Sequence, residues 1–167
     1  LTRQHPEIEW HFLFDRPYDQ QFIFTDEINA RVVWPPSRHP LLWYLWFEWS
    51  IPSVMSSIKP DLFVSPDGYM SLRSKTPGLA VIHDINFEHH RDHVPRVAGW
   101  YYRHFFPRYA RHATRIATVS EYSRQDIAKT YGVDPDKIDL VYNGCGDFFT
   151  PIQQEEKFKV RQEVSHG

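Results

Sequence analysis

Short apolar runs alternate with longer amphipathic stretches along most of this chain. Runs with strand character, bounded by Pro, Gly or Asp, occupy residues 8–14, 30–34, 61–65, 79–82, 115–119 and 138–142, with a short extension predicted at 22–24. Apolar residues recur with helical spacing over residues 41–58, 94–112 and 121–131, and the polar tail 153–167 also has helical character. Strands that alternate with helices predict an α/β fold, in which helices cover both faces of a parallel sheet.

Four residues give the predicted helices specific boundaries or defects. Pro52 predicts a kink or break near Ser50, and Pro107 predicts a bend or split in the helix over 94–112. Ser120 suits the N-cap of the helix over 121–131, and Gly132 suits the position after its end.

Composition and charge narrow the class of protein. The chain has 167 residues, 41% of them hydrophobic and 24% charged, which is typical of a globular domain. A formal net charge of −2 argues against nucleic acid as a partner, and a single cysteine excludes an internal disulfide.

No run approaches the roughly 20 apolar residues of a membrane span, so we expect a cytoplasmic protein, with peripheral membrane association left open. The chain begins with Leu1 and ends amid charged residues, so it is expected to be truncated at both ends.

The densest group of ionisable residues follows the strand predicted at 79–82. His83 and Asp84 come directly after it, and His89, His90 and His93 follow within ten residues. Polar groups at the carboxyl end of a parallel strand favour a ligand site, and a neutral imidazole can bind sugar hydroxyls. The cluster His83, Asp84, His89 and His93 could instead hold a metal ion in a metal-dependent hydrolase. No HExxH or CxxC motif accompanies it.

Two further stretches leave alternatives open. The run 41–49 contains Trp43, Trp46 and Trp49, which fit either a core or an exposed patch for lipid, sugar or a partner. The segment 91–115 carries six arginines and one acid, which fits a solvated helix surface or an anion-binding one. A non-catalytic module that binds a carbohydrate or a partner is therefore a third hypothesis.

Motifs in order over residues 59–144 resemble those of a known enzyme family. Residues 59–66 (KPDLFVSP), 80–85 (AVIHDI), 116–127 (IATVSEYSRQDI) and 131–144 (YGVDPDKIDLVYNG) are similar to the N-terminal domain of a GT-B glycosyltransferase of family 4. The resemblance implies a Rossmann-like acceptor-side domain over residues 1–150, and the start of an interdomain connection over 151–167. It also implies a nucleotide-sugar donor held mainly by a C-terminal domain that these residues do not include.

The same resemblance assigns expected roles at the strand ends. It places His83 and Asp84 at the catalytic edge, and it implies substrate contacts for Ser120, Glu121, Asn143, Gly144 and His89. Sugar transfer to a carbohydrate or lipid-linked acceptor is expected to retain the anomeric configuration and to need neither a cofactor nor a metal. The 167 residues alone are expected to be inactive.

Overall fold

Two parallel β-sheets form the framework of the protein in a computed structural model that describes residue 2, residues 4–146 and residues 149–165. The first sheet pairs β1 (Trp10–Phe14) with β2 (Ile28–Val32). The second has four strands that neighbour one another in chain order: β3 (Phe63–Ser65), β4 (Gly78–Val81), β5 (Arg115–Thr118) and β6 (Ile138–Leu140). The predicted α/β fold with parallel strands and flanking helices is confirmed.

The α-helices lie in the connections from β2 to β3, from β4 to β5 and from β5 to β6, and one follows β6. They are α1 (Pro40–Leu45), α2 (Ile51–Ile58), α3 (Asn86–His89), α4 (Arg96–His112), α5 (Glu121–Tyr131) and α6 (Gln154–Ser165). A π-helical turn, Trp46–Ser50, joins α1 to α2, so the helical hydrogen bonding changes just before Pro52, close to the predicted kink. Short 3₁₀ turns lie at Gln20–Phe22, Arg91–His93 and Pro135–Lys137.

One local prediction is wrong, and of the predicted bend or split at Pro107 the split does not occur. The extension predicted at 22–24 is not a strand, because the Asp19 carboxylate accepts a hydrogen bond from the Gln21 N–H and starts the 3₁₀ turn Gln20–Phe22. Pro107 neither splits nor ends α4, which runs through it to His112. The aromatic side chains around Pro107 explain this tolerance, because Phe106 and Tyr109 are buried in the core and hold the helix against the sheet.

The main core lies between the four-stranded sheet and α4 and α5. Ala80, Ile116 and Ile138 from three neighbouring strands pack with Tyr109 of α4 and Ile127 of α5. Parallel strands in this order direct all four carboxyl ends to the same edge of the sheet, so the loops after β3, β4, β5 and β6 lie side by side. We call these loop starts the rim: residues 66, 83–84, 119–121 and 141–144.

No helix in the part of the chain that the structure describes is both long enough and apolar enough to cross a membrane.

Candidate functional site

The rim begins at His83, which follows β4 and is exposed to solvent. Its Nε2 lies 3.2 Å from the backbone oxygen of Pro66, the residue that follows the neighbouring strand β3. A carbonyl oxygen can only accept, so this contact requires the proton on Nε2. In the neutral ring Nδ1 then carries a lone pair and is a hydrogen-bond acceptor. The contact with the loop after β3 therefore favours the tautomer of His83 with the proton on Nε2.

Asp84 shapes the loop between β4 and α3. Its Oδ1 accepts a hydrogen bond of 3.0 Å from the backbone N–H of Asn86, the first residue of α3. A short carboxylate that binds the amide two residues further on stabilises a turn. Asp84 is exposed next to His83, and its contact holds the backbone that carries the imidazole.

Ser120 and Glu121 organise the beginning of α5, which follows β5. The Ser120 Oγ accepts a hydrogen bond of 3.1 Å from the Ser123 N–H, and the helix ends with Gly132 in the left-handed conformation at φ 62°. Both predicted caps are confirmed. Glu121 accepts a 3.0 Å hydrogen bond from the Gln125 side chain. The side chains of Ser120 and Glu121 therefore both stabilise the beginning of α5.

His89 stands apart from His83. Its Nε2 donates to the carboxylate of Asp126, with distances of 2.9 and 2.8 Å to the two oxygens, and this contact joins the end of α3 to α5. His90 and His93 stack on each other with ring centroids 5.1 Å apart. Within the described residues, no group of three His, Cys, Asp or Glu side chains could hold a metal ion. The metal site that the histidine spacing allowed is therefore not assembled there.

Asn143 and Gly144 lie on the exposed loop after β6, at the far end of the rim from His83. The buried Thr118 at the end of β5 connects the two parts. Its backbone oxygen accepts from the Val141 N–H at 2.8 Å, and its Oγ donates to the backbone oxygen of His83 at 3.4 Å. The structure thus brings the predicted residues 83–84, 120–121 and 143–144 to one edge, in the order of the strands, whereas His89 lies at the end of α3 and pairs with α5.

Sequence reasoning missed three partners of the candidate residues: Pro66, Thr118 and Asp126. Pro66 belongs to the motif at residues 59–66, but a backbone carbonyl group has no signature in a sequence. Asp126 lies 37 positions from His89, and only the packing of α3 against α5 brings the pair together. The alternation of strands and helices was the one signal that pointed to neighbouring loops.

Three comparisons with known proteins each found a similarity. A family model described as Glycosyltransferase Family 4 matches residues 8–145. The O-antigen chain mannosyltransferase RfbU of Salmonella typhimurium is 30% identical over 122 residues, which are 71% of this chain and 32% of that protein.

A crystal structure of a glycosyltransferase from Rickettsia africae aligns with a TM-score of 0.49 at 14% identity, over 93% of this chain and 41% of that one. The chain spans about a third of the length of the Salmonella typhimurium relative. Since the family model covers most of the residues, the chain belongs to glycosyltransferase family 4.

Proposed function

We propose that this chain forms the acceptor-side part of an enzyme that transfers a sugar from a nucleotide-sugar donor to a carbohydrate or lipid-linked acceptor. Membership of the family supports the reaction class. The donor would be held mainly by a second domain, because the chain covers 32% of the relative's length and residues 151–167 would lead towards the remainder. On this proposal the 167 residues do not transfer sugar by themselves.

The observation that carries the proposal is the fixed ring of His83. Its Nε2–H is bound to the Pro66 carbonyl, so Nδ1 of the neutral ring is an acceptor at an exposed strand end. Sugar hydroxyl groups are hydrogen-bond donors that a positioned acceptor can orient. We assign His83 the role of accepting a hydrogen bond from a hydroxyl group of the transferred sugar.

The other rim residues would hold or contact substrate around His83. Asp84 fixes the loop through Asn86, while Ser120 and Glu121 present the first turn of α5, where backbone amides attract an anionic group. Asn143 and Gly144 would contact substrate from the loop after β6, and His89 would do so from the end of α3.

We propose that transfer retains the anomeric configuration and needs neither a metal nor another cofactor. The departing phosphate of the donor would take the proton of the acceptor hydroxyl. This fits the rim carboxylates: Asp84 binds the Asn86 N–H and Glu121 binds the Gln125 amide, so both are engaged in holding local structure.

The experiment uses the protein encoded by the complete reading frame that contains these residues. GDP-mannose is the first donor, because the relative is named a mannosyltransferase; UDP-glucose serves as the comparison, with short mannosides and polyprenyl-linked sugars as acceptors. Proton NMR of the product reports the transfer and the anomeric configuration together. We expect a retained product from one donor.

Three results would contradict parts of the proposal. Inverted product would reject the mechanism, and transfer by the 167 residues alone would reject the need for a second domain. Sugar binding without turnover of any donor would favour the non-catalytic binding module.

A further inference from the structure

An open groove lies at the amino ends of β3 and β4, on the edge of the four-stranded sheet opposite the rim. The end of α2 forms one wall, and the loop that leads into β4 forms the other. Its volume is about 440 Å³, which is within the range of small-molecule sites. We call it the basic groove, because its lining combines the apolar Pro52, Met55 and Pro60 with the cations Lys59, Arg73 and Lys75.

The three cations of the basic groove have no acidic counterpart there. None of the described residues that line the groove is Asp or Glu. Within the described part of the chain, no carboxylate forms an ion pair with Lys59, Arg73 or Lys75, whereas Arg115 pairs with Asp139. In a chain of net charge −2, three unpaired cations at one concave site favour an anion from outside the chain.

Hydrogen bonds hold the loop that carries Arg73 and Lys75. The Ser71 Oγ accepts from the backbone N–H groups of Arg73 and Ser74 at 3.3 and 3.2 Å. The Nε2–H of His112, at the end of α4, donates to the Ser74 carbonyl oxygen at 3.1 Å. The loop therefore presents its two cations from an ordered backbone, which reduces the entropy lost when a ligand binds.

An aromatic ring also orders Arg73. Its guanidinium lies 3.9 Å from the centre of the Trp49 ring, which is a cation–π contact. Trp49 is 55% exposed whereas Trp46 is buried, and this ends the choice that the tryptophan spacing left open. The Glu48 carboxylate behind the loop is buried and accepts from the Leu72 N–H at 2.9 Å. A stacked guanidinium keeps its N–H edge available for an anion.

Lys59 occupies a backbone position that favours glycine. It ends α2 in the left-handed region, at φ 49°, and its N–H donates to the Met55 carbonyl oxygen at 2.7 Å. Glycine adopts this conformation without steric cost and is the usual residue at such a helix end. A lysine in a sparsely populated conformation indicates a role for its side chain, and Lys59 lines the groove.

We propose that the basic groove binds the phosphate group of a small soluble phosphate ester. Ammonium and guanidinium groups donate charge-assisted hydrogen bonds to phosphate oxygens. The apolar part of the lining would contact the organic part of the ligand. A lipid headgroup carries the same phosphate chemistry, so the experiment has one arm for each source. The groove shares no residue with the rim, so the proposal goes beyond sugar transfer and does not depend on it.

The test is titration of the 167-residue chain with glucose 6-phosphate and, separately, with inorganic phosphate, followed by ¹H–¹⁵N NMR. Glucose is the uncharged control. We expect saturable shifts at the amides of residues 55–59 and 73–76 and at the Trp49 indole, with the two phosphates only and weaker at high salt. Any binding at the rim would instead shift residues 83–84 and 119–121, so that failure of either proposal can be recognised separately.

Substitutions in the groove should weaken the binding of glucose 6-phosphate. Arg73→Gln should do so about tenfold, because it removes a fork of donors together with a charge. Lys59→Gln and Lys75→Gln should each do so about fivefold, as expected for one exposed ion pair. Lys59→Gly should weaken binding as much as Lys59→Gln without lowering the thermal midpoint, because glycine suits the left-handed conformation.

A matched control lies on another surface. Lys129→Gln removes an exposed charge from α5 and should bind glucose 6-phosphate like the unaltered chain. Circular dichroism of every variant shows whether the fold is kept. The lipid arm is co-sedimentation with vesicles of phosphatidylcholine, with and without phosphatidylglycerol.

Four outcomes would overturn the proposal. The first is that neither phosphate shifts the groove residues, and the second is that glucose shifts them equally. The third is an equal loss of binding with Lys129→Gln and Lys75→Gln, which would show a diffuse attraction by the whole surface. The fourth is binding of anionic vesicles that Lys75→Gln weakens, without any response to the soluble phosphates, which would assign the groove to a lipid headgroup.

Discussion

The two parallel sheets of this protein differ in how deeply their residues are buried. In the four-stranded sheet, Ala80 and Ile116 are fully buried and Ile138 nearly so, with helices α4 and α5 packed over them. In the two-stranded sheet every residue of β1 is only partly buried, and Ile28 is the one buried residue of β2. A pair of strands is marginal without support. The sheet that carries the rim is thus the better protected of the two.

The support of the two-stranded sheet comes from the helical segment after it. The indole Nε1–H of Trp46 donates to the backbone oxygen of Val33 at 2.8 Å, and the Val33 N–H donates to Phe14 at 2.7 Å. Val33, Trp46, Phe47, Ile51 and Met55 form a separate buried cluster. From this comparison we expect the N-terminal sheet to loosen more readily than the sheet that carries the rim.

The same substitution in the two sheets should have unequal effects, and this is the largest difference we expect. Ile116→Ala opens a cavity in the main core and should lower the free energy of unfolding by about 2–5 kcal/mol. Ile28→Ala lies outside both buried clusters and should cost clearly less. Urea denaturation followed by circular dichroism measures both. Equal losses would show that the two sheets form one equally protected unit.

Trp46→Phe should loosen the two-stranded sheet selectively. It removes the indole hydrogen bond and leaves the buried Val33 carbonyl unpaired, which should cost about 1–2 kcal/mol. Hydrogen exchange should accelerate in β1 and β2 and stay unchanged in β4 to β6. Trp49→Phe is the control, because that ring is exposed. Faster exchange throughout the rim would contradict the separation of the two sheets.

The same contrast explains how much of the fold the sequence could predict. Residues 79–142 alternate short buried strands with amphipathic helices, and there the predicted elements match within a residue or two. In the N-terminal part the aromatic residues are neither consistently buried nor consistently exposed. The pattern at 22–24 therefore resembled a strand, although the Asp19 cap, a contact with the backbone, selected a 3₁₀ turn.

The candidate site was predictable in position and only partly in detail. His83 and Asp84 could be placed because they follow a strand directly. The contact of His83 with Pro66 and that of His89 with Asp126 could not, because each joins segments far apart in the chain. Four histidines within 11 positions suggested a metal site, yet the fold turns His89 towards α5 and stacks His90 on His93.

Ser120→Ala tests whether Ser120 acts mainly as the N-cap of α5, which packs on the better protected sheet. Loss of the bond to the Ser123 N–H should cost about 1 kcal/mol. Ser120→Asp keeps an acceptor at that position and should retain most of the stability, as thermal unfolding can show. If Asp destabilised the protein as much as Ala, the cap would not be the reason for serine at this position.

Glu48→Gln should have the smallest effect on stability, and its sign depends on pH. Burial raises the pKa of Glu48 above its ordinary value. This effect outweighs the hydrogen bonds from the Leu72 and Arg73 amides, which lower the pKa. The folded state then binds the proton more tightly than the unfolded state, so this carboxyl group lowers stability as pH rises between the two pKa values. Gln keeps an acceptor for Leu72 and does not ionise. As pH rises from about 4 to 7, the urea midpoint of the variant should increase relative to that of the unaltered protein. An opposite trend would show that the fold stabilises the charged form of Glu48.

The most direct test of the account is the transfer rate of His83→Gln in the protein of the complete reading frame. Gln can keep a donor for the Pro66 carbonyl, but its one side-chain acceptor, Oε1, is not bonded to Cγ as Nδ1 is and so does not occupy the same position. We expect kcat/KM to fall by about a hundredfold, the order of magnitude for loss of a positioned polar group, with unfolding unchanged. His93→Ala, a histidine outside the rim, should transfer sugar at a nearly normal rate. Near-normal turnover by His83→Gln would contradict the role assigned to His83.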